Sequence, residues 1–281
     1  MIIFILSLIA AIAAGSAVYA NSGSVLWTIM WGVLAGFATM MAVNVFFALR
    51  LKRLMQQVQE IMTRLQAELQ SLINRSQQSR QMTPKMLERR SEEVKKRYLQ
   101  EALDLLESAK PLFKWSFLIE RQVNMNAFVL YYQLGDFEKV DAVMERMFVL
   151  DPSIAAMKLA RYYQRGEYAK CDTLFRKVEK RFRGDKGVIL YATYSWILVK
   201  QDRIEDAVEV LARGKEKTGN EGLAKNWEAL ANNRKNQFSN AFLGESWYGL
   251  LLEKPSIPKT RMSKGMMKRN PMFANKKVRR R

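Results

Sequence analysis

Catalytic side chains are scarce in this sequence. Its 281 residues include no histidine and a single cysteine, Cys171. Without imidazole there is no Ser-His-Asp or Cys-His relay, no histidine-ligated zinc and no imidazole switch near neutral pH. One cysteine excludes a disulfide framework and a thiolate-only metal cage. Cys171 falls at a small-residue position of an amphipathic helix and reads as core filling; nothing near it marks a nucleophile. G-x-x-x-x-G-K-[ST], G-x-G-x-x-G after a strand and H-E-x-x-H are all absent. Paired acids such as Glu92-Glu93 lie among basic neighbours, as on a solvated helix face. The expectation is a protein that is not an enzyme, with no catalytic residue, no metal and no cofactor.

The chemistry that remains is electrostatic. Lys and Arg number 46 against 27 Asp and Glu, a net charge of +19, and 49% of residues are hydrophobic. That apolar share suffices for a core, and the charge points to an anionic partner, phospholipid headgroups or nucleic acid. Residues 1–49 carry no charge at all, whereas residues 255–281 carry ten basic residues and no acid. In that tail Pro255 and Pro258 end helix formation and no apolar period follows, so disorder is expected. Lys268, Arg269, Lys276, Lys277, Arg279, Arg280 and Arg281 are its candidate contacts to anionic lipid, with Met262, Met266, Met267, Met272 and Phe273 for shallow insertion. RNA or ribosome binding through phosphate, or solubility alone, are the alternatives for the same cations.

The elements that would carry these groups divide the chain into four parts. Residues 1–20 and 25–49 are apolar runs close to the roughly 20 residues that cross a bilayer. Asn21-Ser22-Gly23-Ser24 between them has turn composition, which gives a two-helix transmembrane hairpin over residues 1–49. Tyr19, Trp27 and Trp31 lie near the turn, where interfacial aromatics are expected. Gly32 and Gly36 form a G-x-x-x-G step suited to close helix approach. A cleaved signal is the competing reading for residues 1–20, since Val18-Tyr19-Ala20 resembles a cleavage site, although a basic leader is missing. Arg50, Lys52 and Arg53 follow the second run and, by the positive-inside rule, hold what comes after in the cytoplasm.

Residues 50–82 are amphipathic. Leu51, Val58, Leu65 and Leu72 recur at heptad spacing, and Glu68 interrupts the companion position. Two outcomes stay open: one helix laying its stripe on its own domain, or self-association into a coiled-coil dimer. Ser76–Gln81 reads as a hinge, and Thr83-Pro84 as a helix start with Thr at N-cap.

Residues 83–254 show internal periodicity. Leu134-Gly135-Asp136-Phe137 and Arg165-Gly166-Glu167-Tyr168 are the same helix–turn–helix junction; Gln201-Asp202-Arg203-Ile204 and Lys235-Asn236-Gln237-Phe238 repeat it loosely. Val140, Cys171, Ala207 and Ala241 follow as small positions of the second helices, and Tyr131, Tyr162 and Leu198 are large interior positions of the first. On these residues, with Pro152, the region resembles the tetratricopeptide repeat family over about half the chain. It departs from the pattern in lacking alanine in the first two units and the turn glycine in the third. Tyr98–Ala109 reads as a capping half-repeat ended by Pro111. In order of parts the chain is also similar to HemY-type membrane repeat proteins, an architectural likeness that carries no haem role.

The resemblance implies an all-α stack of helix hairpins with a concave groove for a peptide or a partner's helix. Carried over by position, the groove is lined by Met125, Val129, Tyr132, Ala156, Ala160, Tyr163, Trp196 and Arg234. The Lys and Asn of the family's carboxylate clamp are replaced by Met125 and Val129, so the aromatic residues favour an apolar or aromatic ligand. Packing of those aromatics on the juxtamembrane helix is the competing reading. The expectation is an integral membrane, cytoplasm-facing scaffold that binds a protein partner. A nucleic-acid or ribosome-associated factor, and a structural subunit or homo-oligomer of a membrane complex, are the alternatives.

Overall fold

The computed structural model describes residues 2–78, 83–115, 117–182 and 184–254. The basic tail and the second half of the expected hinge at Ser76–Gln81 lie outside those residues. All regular structure among the described residues is helical.

Two helices, α1 (Ile2–Ser22) and α2 (Val25–Gln78), open the chain, and both are long and apolar enough to cross a membrane. Gly23, at φ +64°, lies in the turn between them. The G-x-x-x-G step works within this hairpin. A Cβ on Gly32 would stand 3.0 Å from the Ala11 carbonyl, and one on Gly36 3.1 Å from the Ser7 carbonyl, so the two backbones meet at that stripe.

Helix α2 runs without a break from the apolar segment into the amphipathic one. Its heptad residues Leu51, Val58, Leu65 and Leu72, with Ile61, are buried by the same chain, and α3 (Pro84–Glu107) packs along α2. The stripe is therefore covered from within, and the first of the two outcomes is the one observed. Glu68 interrupts the apolar pattern because it faces α3. Its carboxylate accepts two hydrogen bonds from Arg97, at 3.0 and 2.9 Å, and one from the Tyr98 hydroxyl at 2.8 Å. Those partners hold the Glu68 carboxyl below the usual range, the Tyr98 bond contributing most. Thr83 caps α3 as expected, its side chain accepting from the Met86 amide with Pro84 in the first turn. The helix ends at Glu107, and Pro111 falls in a following 3₁₀ turn, Lys110–Lys114.

Three helical hairpins follow: α4 (Phe117–Leu134) with α5 (Phe137–Met144), α6 (Pro152–Gln164) with α7 (Tyr168–Glu179), and α8 (Val188–Lys200) with α9 (Ile204–Thr218). Their turns share one bonding pattern. The Asp136 amide donates to the Tyr131 carbonyl, the Glu167 amide to that of Tyr162 and the Arg203 amide to that of Leu198, each closing around a left-handed residue. That residue is Gly135 or Gly166, both at φ +72°, in the first two turns and Asp202, at φ +58°, in the third. An acidic side chain tolerates this region better than most, which is how the third unit dispenses with glycine. Val140, Cys171 and Ala207 are fully buried in the second helices.

Acids on second helices tie each hairpin to the next. Asp141 receives a two-pronged contact from Arg161 at 2.7 and 2.6 Å. Asp172 accepts from the Tyr194 hydroxyl at 2.7 Å and from Arg203, and Glu179 from Arg213 and Lys217. The buried Lys158 donates to the Met144 carbonyl at 2.7 Å, satisfying the end of α5; burial pushes its pKa down, opposed by Glu145.

The fourth unit departs from expectation. Helix α10 (Glu221–Ala231) forms, capped by Asn220, but its turn closes at Asn233 (φ +56°), three residues before Asn236. Arg234 there donates to Ala229 as Arg203 does to Leu198. No full second helix follows. A 3₁₀ turn at Lys235–Gln237, extended Phe238, a second 3₁₀ turn at Ala241–Leu243 and the short α11 (Glu245–Tyr248) take its place. Phe238 therefore does not open a helix, and Ala241 is exposed rather than a small buried position. Asn and Ser side chains offer the backbone non-helical partners here. Asn226 accepts from the Ser239 amide and donates to Asn240, which is fully buried and donates to the Ala192 carbonyl at 2.8 Å.

Candidate functional site

The inner face of α4, α6 and α8 carries the aromatic series Tyr132, Tyr163 and Trp196. Helical phase puts one such residue near the end of each first helix, and hairpin stacking brings them into line. Tyr163 meets Trp196 edge-on, ring centroids 5.2 Å apart, and Tyr132 meets Phe137 the same way at 5.7 Å.

This face is not open. Residues 244–253 of the same chain lie on it, from Gly244 through α11 to Glu253. Trp247 is fully buried and packs edge-on against Trp196 at 5.8 Å. The two indole N–H groups converge on one carboxylate: Trp196 Nε1 donates to Glu253 Oε1 at 2.7 Å and Trp247 Nε1 to Glu253 Oε2 at 2.8 Å. Tyr132 donates its hydroxyl to the Leu250 carbonyl at 2.6 Å, and Gln164 reaches the Leu251 carbonyl at 3.5 Å. One short segment is thus tied to α4, α6 and α8 in turn. Leu251 takes φ +55°, a conformation a bulky side chain adopts at a cost of order 1–3 kcal/mol, so the surrounding contacts over-determine it.

Electrostatics follow from burial. The Tyr132 phenol is pushed well above its ordinary pKa by desolvation, with Arg161 pulling back, and Tyr163 is pushed up for the same reason. Cys171 is buried, its sulfur 3.6 Å from the Leu159 carbonyl, and desolvation drives the thiol up to about 12. It is a thiol without thiolate character. Among the described residues no group of three or more His, Cys, Asp or Glu side chains could hold a metal ion.

The expected groove residues separate on this geometry. Tyr132 and Trp196 are 0% and 5% exposed and are engaged by the chain's own segment, so neither offers a free surface as expected. Tyr163 is half-buried between Trp196 and Tyr168. Ala156 and Ala160 are fully buried in the core. Met125 and Val129 are half-buried against the core, and their neighbour Asn126 approaches the Met55 sulfur of α2 at 3.4 Å, so this side of α4 turns to the amphipathic part of α2. Arg234 is exposed in the turn after α10, and none of the described hydrogen bonds joins its side chain to the aromatic series. The tail residues from Lys268 to Arg281 lie outside the described residues.

Sequence reasoning missed Trp247, Leu250 and Glu253. Their signal was Trp247-Tyr248-Gly249-Leu250-Leu251-Leu252, an apolar run beyond the last repeat that ends in the final acid before an all-cationic tail. Compared with protein-family models, with curated proteins and with solved structures, the chain matches none.

Proposed function

We propose that the chain is a membrane-anchored, cytoplasm-facing repeat scaffold of the tetratricopeptide kind. Its aromatic groove receives a segment of a protein partner, and its basic tail contacts anionic lipid. The reading takes α1 and α2 as membrane spans and Arg50, Lys52 and Arg53 as the charges that orient them. The observation that carries it is the occupancy of the groove. Tyr132 and Trp196 hold residues 244–253 through aromatic packing on Trp247, one main-chain carbonyl and a carboxylate shared by two indoles, with Tyr163 packed edge-on against Trp196. These are the interactions by which a groove of this kind takes a peptide: large anchors supply the energy and a few polar contacts fix the register. A partner segment bearing an apolar anchor and a carboxylate would replace Trp247 and Glu253.

Burial of the heptad stripe within the chain, with α3 packed along α2, supports the scaffold reading over assembly through that stripe. Photocrosslinking in intact membranes tests the reading. A photoreactive amino acid at Tyr163, in full-length protein with Trp247→Ala and Glu253→Gln, is expected to form adducts with a second protein that are weak without those changes. Adducts confined to the chain itself in every variant would overturn it.

A further inference from the structure

The 3₁₀ turn Lys110–Lys114 meets the membrane-length hairpin at a place no repeat function uses. Leu6 of α1, Val43 and Phe47 of α2, and Leu112 and Trp115 border an open groove of about 660 Å³. Ligand sites for small molecules are typically of this size. Trp115 packs on Phe47 with centroids 5.0 Å apart, joining the end of the second apolar run to the helical domain. The depth is defined by sequence: Arg50 is the first charged residue of the chain and, among the described residues, the only charged one lining the groove. Leu6 and residues 42–50 lie at the same end of the hairpin, opposite its turn at Gly23. In a 3₁₀ turn side chains three apart eclipse, so Lys114, beyond the lining itself, shares the side of the turn on which Pro111 lines the groove. Arg50 and Lys114 are both exposed, and among the described residues neither makes an ion pair. Leu118, at the start of α4, is 54% exposed close by in sequence.

We infer that this groove binds one anionic phospholipid, an acyl chain lying along Val43, Phe47 and Trp115 and the phosphate between Arg50 and Lys114. The inference rests on reading α1 and α2 as membrane spans. An apolar floor at the end of a span, under two cations, matches the order of a lipid from tail to headgroup. Among the described residues no acid lines the groove to answer a choline, so the charge favours an anionic headgroup over a zwitterionic one.

The full chain is reconstituted in phosphatidylcholine vesicles containing phosphatidylglycerol, floated, extracted into mild detergent and weighed by native mass spectrometry for retained lipid. Wild type is expected to retain one phosphatidylglycerol in preference to phosphatidylcholine. Arg50→Gln with Lys114→Gln should lower that preference about tenfold, equal to about 1.4 kcal/mol for the two cations. Val43→Trp should abolish retention of either lipid by filling the acyl slot. Lys186→Gln with Lys225→Gln, an equal charge removed from the repeat surface, should leave retention unchanged. Equal losses from both charge pairs would overturn the site in favour of general attraction, and so would displacement of the lipid by soluble glycerol phosphate. Protein that floats yet shows no preference for phosphatidylglycerol refutes the groove alone. Protein that fails to float refutes the spans and the groove with them.

Discussion

Tyr132→Phe would test the tie between α4 and the segment in the groove with little change of shape. The substitution keeps the ring, its contact with Phe128 at 5.8 Å and its edge-on contact with Phe137. What goes is the hydroxyl that donates to the Leu250 carbonyl over 2.6 Å, at a residue only 1% exposed. A neutral hydrogen bond contributes about 1 kcal/mol net, and leaving a buried carbonyl without its donor costs about 1–3 kcal/mol. A loss of about 1.4 kcal/mol raises the released population of residues 244–253 about tenfold. Release is local, because side-chain tethers at Tyr132, Gln164 and Trp196 hold the segment while α4–α10 keep their own packing. Hydrogen exchange on the full chain in micelles reads this directly. Peptides covering residues 244–254 should exchange about tenfold faster, and peptides from α8 at the wild-type rate. Equal acceleration in α8 would mean the segment does not open as a unit. No acceleration anywhere would mean the bond holds nothing.

Other expectations concern backbone, packing and charge. Gly244, at φ +56° and ψ −131°, occupies a region hostile to side chains, so Gly244→Ala should cost about 1–3 kcal/mol and give the same local exchange signature. A Cβ on Gly214 would stand 2.9 Å from Cγ of the buried Tyr191 ring; Gly214→Ala should destabilise by about 1–3 kcal/mol through overpacking, read as a lower urea midpoint. Gly36→Ile should force α1 from α2, measured as loss of disulfide trapping between cysteines placed across the hairpin in a Cys171→Ala background. Hydrogen bonds from Arg161, then its charge and that of Arg165, hold the Asp141 carboxyl below its ordinary range. A depressed folded pKa stabilises above the unfolded value, about 3.9, and that contribution vanishes as pH falls through the lowered value. Asp141→Asn should therefore be less stable than wild type at neutral pH and equal to it in strong acid; a gap persisting there would refute the assignment.

Legibility followed the range of the interaction that decides each feature. Thr83-Pro84 and the glycine turns at 135 and 166 are local, and they stand where the sequence put them. The heptads at Leu51, Val58, Leu65 and Leu72 declared an apolar stripe but not its cover, since periodicity is the same for a helix packed on α3 and for one packed on a second copy. Glu68 looked like a flaw in that stripe because its partners Arg97 and Tyr98 are about thirty residues away. The groove failed for the same reason on a larger scale. Helix position brought Tyr132, Tyr163 and Trp196 to one face, and nothing in a repeat pattern says that the chain returns to cover it.

The degenerate fourth unit and the filled groove are one structural event. A regular second helix after Asn233 would carry residues 235–248 away from the inner face and leave Trp196 uncovered. The Asn226–Asn240–Ala192 bonds instead pin the chain against α8, and Gly244 turns it so that Trp247 enters beside Trp196. Bonds from Tyr132, Gln164 and Trp196 then fasten it across three hairpins. A tethered occupant acts at an effective concentration in the millimolar range, so a partner of equal intrinsic affinity in solution would lose the contest. A tethered segment with an intrinsic dissociation constant in the micromolar range would weaken a competitor about a thousandfold. On the proposed reading, the groove is a site whose vacancy is itself regulated, and whatever loosens Glu253 from Trp196 and Trp247 sets the affinity that a partner experiences.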